Sequence, residues 1–429
     1  METIVMFGAF LVLVAIGIPI AFSIGLSVLG ALLISGIPIT VFAQRVANAA
    51  DNGALLAIPL FILSGELMNR GGLTQRLVNF AHSIVGHIRG GLGHTCVLGS
   101  MIFAGVSGSA VADTTAIGSI MVPAMIKKNY KPPFVAALQA GAGTLGPIFP
   151  PSILMILYGS MTEVSVGGLF LSGCIPGVLI GLGLMVVVYI FTSKRFHPDI
   201  EREKWAGFLN ILKTGKEAIP ALVMPFLILV GIVAGIFTPT EAGSVAVCYS
   251  FLVGMFYYKA FTLKDMPAIL LSAASLAAMV MSIIVFASAF GWLMAWQGVP
   301  DAALKFMTTL TSNKYVFLII VIAFLLTLGH FMEVLAMATI FGPLLNIIGQ
   351  RYGFDPVYFG LIILITMQMG GIGPPVGIIL NLSCGLAHCK TEETLIYLCV
   401  CIFAMLAVIA LIIVYPPVAM TLPNMFIKH

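Results

Sequence analysis

Long apolar runs, cut at a few places by short stretches of Gly, Pro, Ser and Thr, set the pattern of this chain. Residues 4–36 are apolar apart from Gly17-Ile18-Pro19, which predicts two short spans joined by a tight turn. Residues 37–53 are mixed, with Arg45 and Asp51, and predict an interfacial connector; residues 54–69 complete a third crossing. Over 70–92, Arg70, Arg76, His82, His87 and Arg89 alternate with Leu77, Val78, Phe80, Ile84 and Val85, the pattern of an amphipathic arm at a membrane surface. The next apolar run, 93–126, carries two Gly, two Ser, two Thr and an acid at Gly105-Val106-Ser107-Gly108-Ser109-Ala110-Val111-Ala112-Asp113-Thr114-Thr115. A helix in lipid cannot leave backbone groups unpaired unless they line protein or a water-filled cavity, so this stretch predicts the tip of a re-entrant hairpin. Residues 132–160 are broken in turn at Gly146-Pro147-Ile148-Phe149-Pro150-Pro151, where three prolines remove three backbone donors. Residues 166–192 form a plain span.

The order of landmarks then repeats. Pro239 follows Pro19 at an offset of 220 (239 − 19), and Gly291-x-Leu293-Met294 follows Gly65-x-Leu67-Met68 at 226 (291 − 65). Pro343 follows Pro123 at 220 (343 − 123), and Gly370-Gly371-Ile372-Gly373-Pro374-Pro375 follows the first break at 224 (370 − 146). The second half is expected to hold spans at 220–237, 240–258 and 267–296, an arm at 297–313, a hairpin at 315–348, a broken span at 357–385 and a last span at 393–416. The predicted fold is an all-α polytopic membrane protein with a first repeat over 1–192 (hairpin 93–126, broken helix 132–160), a cytoplasmic loop over 193–218 and a second repeat over 219–429 (hairpin 315–348, broken helix 357–385). An odd number of crossings in the first half inverts the second.

Charge fixes the sides. Arg70, Arg76 and Arg89 precede the first hairpin and Lys127, Lys128 and Lys131 follow it, so both its ends face the cytoplasm. On this topology fifteen Lys and Arg lie in the cytoplasm and five outside (Arg45, Lys305, Lys314, Arg351, Lys428), with both termini outside. Composition agrees, since 60% of residues are hydrophobic and 8% charged, too few charges for a soluble chain of 429 residues. Only Glu2 precedes the first apolar run and no cleavage site follows, so no signal peptide is expected. The net charge of +4 does not point to nucleic acid. No phosphate loop, zinc-protease motif or catalytic-triad signature occurs, and Cys399 and Cys401 would point to different helix faces, against a metal site.

Two opposed hairpin tips meeting two unwound helices at the midplane is a transporter architecture, in which helix C-termini and unwound carbonyls ligate Na⁺ and helix N-termini attract an anion. Ser107, Gly108 and Ser109 with Thr144 and Gly146 are expected to form one sodium site; Gly329 with Thr366, Met369 and Gly370 is expected to form its counterpart. Asp113, Thr114, Pro147, Pro150, Glu333, Gln368 and Gly371 are candidates for solute contact or coupling. Asp113 and Glu333 are read as equivalent (333 − 113 = 220), and an acid at membrane depth is costly and usually functional, although each could simply complement a helix dipole. Ser109 could be an N-cap, and the hydroxyls of Thr144 and Thr366 could bond back to their own helices. His330 reads as structural more than as a proton relay.

The runs at 105–118, 146–152, 238–243 (Thr-Pro-Thr-Glu-Ala-Gly) and 371–377 resemble the large membrane subunit of tripartite ATP-independent periplasmic (TRAP) transporters, along the whole chain. The resemblance implies an elevator-type carrier of the ion-transporter superfamily in the bacterial inner membrane, importing a small organic acid such as a C4-dicarboxylate or sialic acid with Na⁺ at two or more sites. It also implies a periplasmic substrate-binding protein and a small four-helix membrane subunit as partners, and no enzymatic activity. Two rival readings are a stand-alone Na⁺- or H⁺-coupled carboxylate carrier and a membrane enzyme using Asp113 and Glu333 as paired acids in one pocket.

Overall fold

The computed structural model describes residues 2–193, 200, 202–374 and 376–427. Lys194, Arg195 and Lys428 of the charge balance, and Pro375 of the second break, lie outside the described residues. Among the described residues all regular structure is helical. Helices α1 (Glu2–Ala15) and α2 (Ile20–Ile34) pack on each other across the Gly17 turn, and α3 (Thr40–Ala50) forms the connector. Helix α4 (Ala57–Arg70) follows, and the arm is α5 (Leu73–Val85). The first hairpin is α6 (Gly91–Ser107) and α7 (Ala110–Lys127), packed along each other. The first broken helix is α8 (Pro132–Gly143) and α9 (Ile153–Thr162), and α10 (Val166–Phe191) runs unbroken.

The second half holds α11 (Phe208–Val233), α12 (Pro239–Leu252, continued by one π turn), α13 (Met266–Trp296) and the arm α14 (Val299–Leu310). Then come α15 (Lys314–Gly329), α16 (Val334–Arg351), α17 (Pro356–Gly370), α18 (Ile378–Ala387), α19 (Thr391–Val414) and α20 (Pro417–Phe426). Helices α10, α11, α13, α16 and α19 are each long and apolar enough to cross a membrane. Large apolar side chains stand exposed along several of them, Phe226, Leu271 and Phe403 among these, the reverse of a water-soluble surface.

Two packing groups organise the helices. In the outer group α4 lies along α12, α2 along α13, and α13 also covers α3 and α4. In the inner group α8 is buried from Phe134 to Gly143 among α6, α7, α18 and α19; its Ala-Ala-Leu-Gln-Ala-Gly-Ala-Gly run has side chains small enough for four neighbours to close in. Likewise α17 is buried from Tyr358 to Gly370 against α10, α15 and α16.

The Thr-Pro-Thr-Glu-Ala-Gly motif proves to be structural. Thr238 and Glu241 form a reciprocal capping box at the start of α12, with Pro239 at its first position, and Thr240 Oγ1 donates to Gly53 O at 2.8 Å. Thr238→Val removes the cap and is expected to destabilise the chain by about 1 kcal/mol, read as a lower Tm of the purified protein with unchanged helix content.

One expectation needs correction. The loop expected over 193–218 is shorter, because α11 starts at Phe208 and carries Lys213 and Lys216 on its first turns. In the second hairpin α15 and α16 pack mainly on α17, whereas α6 and α7 pack on each other. Beyond the last expected span, residues 417–426 form α20 against α10. A ten-residue helix opened by proline has too few apolar positions to register as a span.

Candidate functional site

Both helix interruptions in the inner group come from local chemistry. Helix α6 ends because Gly108 turns left-handed (φ +60°), and a Cβ there would also press on Pro151 O at 2.7 Å. Ser109 then caps α7, its Oγ accepting from Ala112 N at 3.5 Å. At the other tip α15 ends at Gly329, and Glu333 caps α16, its Oε2 accepting from Ala336 N at 3.0 Å. Each tip is tied to its broken helix by one backbone bond: Ile153 N donates to Gly108 O, and Val376 N donates to His330 O, both at 3.2 Å. The first break is fixed by Ser152, which caps α9 through Met155 N and donates to Pro147 O at 2.6 Å.

The two tips and the two breaks share one cleft, walled on the far side by Ile62 of α4 and by Leu276 and Val280 of α13. Gly108, Ser109, Pro147, Gly329, Glu333, Gln368 and Gly371 all line it. Its wall is mostly apolar, with Ser109, Glu333 and Gln368 as the polar side chains, and Gln368 Oε1 has no protein partner. The N-termini of α7 and α16 both border it and bring two positive dipole ends to one space.

The other candidates lie close behind or apart. Ser107 lines an adjoining recess with Glu66, Asn69 and Thr115. Gly146 sits under the first tip, where a Cβ would meet Ser109 O at 2.8 Å, and Gly370 touches Gly329 backbone to backbone. Thr144 Oγ1 donates to Gly141 O at 2.6 Å and Thr366 Oγ1 to Ile362 O at 2.7 Å, so both hydroxyls bond their own helices and keep only acceptor capacity. Met369 is fully buried, and the carbonyl of Pro150 lies near Gly105 rather than in the cleft. His330 Nδ1 donates to Leu326 O at 2.6 Å, and the ring stands at the edge of the second break beside Gly373.

Asp113 and Thr114 are fully buried and do not line the cleft. The equivalence of Asp113 and Glu333 fails on cap position: Glu333 is the N-cap of α16 and its counterpart is Ser109, at an offset of 224 (333 − 109), whereas Asp113 lies a turn inside α7. The two acids therefore share no pocket. Sequence reasoning also missed the α4 and α13 wall, whose members are plain apolar residues, and Ser100 and Gln139, which are buried in α6 and α8. A glutamine amid Ala and Gly at membrane depth was the available signal for the second pair.

Comparison with known proteins agrees with this architecture. The family described as "Tripartite ATP-independent periplasmic transporter, DctM component" matches residues 7–418. The chain is 35% identical over 444 residues to the C4-dicarboxylate TRAP transporter large permease protein DctM of Rhodobacter capsulatus, covering 99% of each. It is 34% identical over 418 residues to the sialic acid TRAP transporter large permease protein SiaM of Vibrio cholerae, covering 96% of each. It is 36% identical over 417 residues to the isethionate TRAP transporter permease protein DctMQ of Oleidesulfovibrio alaskensis, covering 97% of this chain and 65% of that protein. The chain therefore belongs to the DctM family, the large permeases of tripartite ATP-independent periplasmic transporters, and is a multi-pass inner-membrane transport protein that works with partner subunits.

Proposed function

We propose that the chain carries a small organic acid, a carboxylate of the C4-dicarboxylate or sialic acid kind, inward with Na⁺ after delivery by a periplasmic binding protein. The observation that carries this reading is the convergence of two helix N-termini and two interrupted helices on one mostly apolar cleft. The N-termini and the Ser109 hydroxyl suit an anionic group. Sodium would be held behind the tips, by Ser107, Gly108 and Ser109 with the carbonyls from Thr144 to Gly146, and by Gly329 with the carbonyls of Thr366, Met369 and Gly370. Filling those sites would set the tip geometry before solute binds. The solute itself would contact Ser109, Pro147, Gln368 and Gly371.

The inner packing group would then move as one body against the outer group, in two inverted repeats, with both termini on the periplasmic side. A small membrane subunit would brace the outer group; the DctMQ relative, of which this chain covers 65%, has room for such a segment. More than one Na⁺ per solute charge would make the step electrogenic and add about 2.3 kcal/mol per net charge per 100 mV.

Uptake into proteoliposomes holding this chain and its small subunit, with the binding protein outside, tests the reading. Uptake is expected to need both an inward Na⁺ gradient and the binding protein, and Ser109→Ala is expected to lower it about tenfold or more, as loss of a cap and a ligand together. Uptake indifferent to the binding protein would favour a stand-alone carrier. Uptake driven by an H⁺ gradient alone would remove the sodium assignment.

A further inference from the structure

Two matched contacts cross between the halves of this protein. Gly118 of α7 and Gly342 of α16 each lie nine residues after the cap of their helix (118 − 109 and 342 − 333). Each faces a large side chain from the broken helix of the other half. A Cβ at Gly342 would stand 3.2 Å from Tyr158 Cδ2 of α9, and a Cβ at Gly118 would stand 2.9 Å from Leu386 Cδ1 of α18. The Tyr158 ring is wedged on its other edge as well, where a Cβ at Gly360 of α17 would meet its Cε1 at 2.7 Å. Tyr158 is fully buried, and its hydroxyl has no bonded partner. A buried hydroxyl without a bond costs free energy, so the shape of the ring, not its polarity, suits this place. Glycine on α7 and α16 gives Leu386 and Tyr158 their seats, since any Cβ there would press on them.

These seats complete two paths between the tips. Gly108 O at the first tip accepts from Ile153 N, which opens α9; α9 seats Tyr158 on α16, and α16 starts from its cap Glu333 at the second tip. In the other direction His330 O at the second tip accepts from Val376 N, just before α18; α18 seats Leu386 on α7, and α7 starts from its cap Ser109 at the first tip. From seat to cap each arm is about 13 Å long, a stretch of helix bonded along its length. A tip that shifts therefore carries the half-helix bonded to it, and that half-helix pushes the arm whose cap belongs to the other tip. A closely packed interior passes such a shift on, because it settles in discrete arrangements and does not deform continuously. We propose that Tyr158 and Leu386 are positioning residues that couple the two hairpin tips, so that ordering one tip by a bound cation also orders the other. This rests on the reading of both tips as sodium sites, and adds that the two sites fill cooperatively.

The test is the dependence of uptake on Na⁺ concentration, in proteoliposomes holding this chain and its small subunit with the binding protein outside. Wild type, Tyr158→Phe, Tyr158→Ala and Leu386→Ala are compared at matched protein density. Wild type is expected to show a Hill coefficient of about 2 for Na⁺, and Tyr158→Phe is expected to match it, since the ring is kept and only an unbonded hydroxyl is lost. Tyr158→Ala and Leu386→Ala are each expected to raise the half-saturating Na⁺ concentration about fivefold or more and to bring the Hill coefficient toward 1. A purely structural role would lower the maximal rate or the yield of folded protein and leave both of those values in place. If Tyr158→Ala does not fold, Leu386→Ala decides, because it shortens a half-buried side chain near the end of α18. Unchanged half-saturation and Hill coefficient in Leu386→Ala, or a wild-type Hill coefficient of 1, would overturn the coupling and leave the sodium reading standing. Failure of the sodium reading looks different: uptake by wild type itself would then be indifferent to Na⁺, and the coupling would fall with it.

Discussion

Gly329→Ala is expected to lower solute uptake by about 100-fold or more, while Gly291→Ala leaves it unchanged. The contrast isolates close approach from the general cost of altering a helical glycine. A Cβ at Gly329 would stand 2.5 Å from Gly370 Cα, 2.6 Å from its carbonyl carbon and 3.0 Å from Gly371 N, all backbone atoms that cannot rotate away. The second tip must therefore lift off the second break. Displacement of positioned groups by about 1 Å is enough to cost two orders of magnitude in rate. At Gly291 in α13 a Cβ would meet nothing within 4 Å, so alanine there adds only helix propensity and a small gain in stability. Both variants are compared by Na⁺-driven uptake at matched protein density, with size-exclusion profiles to confirm folding. Full activity in Gly329→Ala would show that contact between this tip and this break is not needed for transport.

The periodic and the interrupted parts of this chain were legible for different reasons. The interruptions were plain because Gly and Pro act locally. Gly108 can only end α6 as it does, and the prolines at 147, 150 and 151 leave the break after Gly143 no helical alternative. The depth of burial of α8 was foreshadowed by its small residues, but its four neighbours were not, since side-chain size says that something packs closely and not what. The same limit explains the second hairpin: α15 and α16 are apolar enough to be arms, yet whether they close on each other or on α17 is decided by shape across a distance of about 40 residues in sequence. Offsets misled at one point. Pro123 and Pro343 keep a spacing of 220, but the caps at Ser109 and Glu333 are 224 apart, one helical turn more, and this drift paired Asp113 with the wrong residue. The roles of the tip serines were half visible: Ser109 as a cap follows from its place before Ala110, while its exposure to the cleft depends on α4 and α13, which no local pattern brings near.

That drift gives Glu333 its meaning, and Glu333→Lys is expected to abolish uptake. Ser109 shows that capping the equivalent helix needs only a hydroxyl, so a carboxylate at 333 brings a charge that the cap itself does not require. It lines the cleft, half-buried, at the positive end of α16 and beside the second tip. Lysine would set a cation against that dipole end and remove the Ala336 acceptor, two unfavourable changes together worth about 2 kcal/mol, before any effect on a bound Na⁺. Glu333→Gln separates the contributions, because its amide oxygen can still accept from Ala336 N while the charge is gone. If the charge supports cation binding at the second tip, Gln lowers uptake about tenfold at limiting Na⁺ and recovers much of it at saturating Na⁺, whereas Lys stays inactive at both. Glu333→Asp should keep the charge and shorten its reach, falling between Gln and wild type. A Gln variant with the wild-type dependence on Na⁺ would reduce Glu333 to a helix cap.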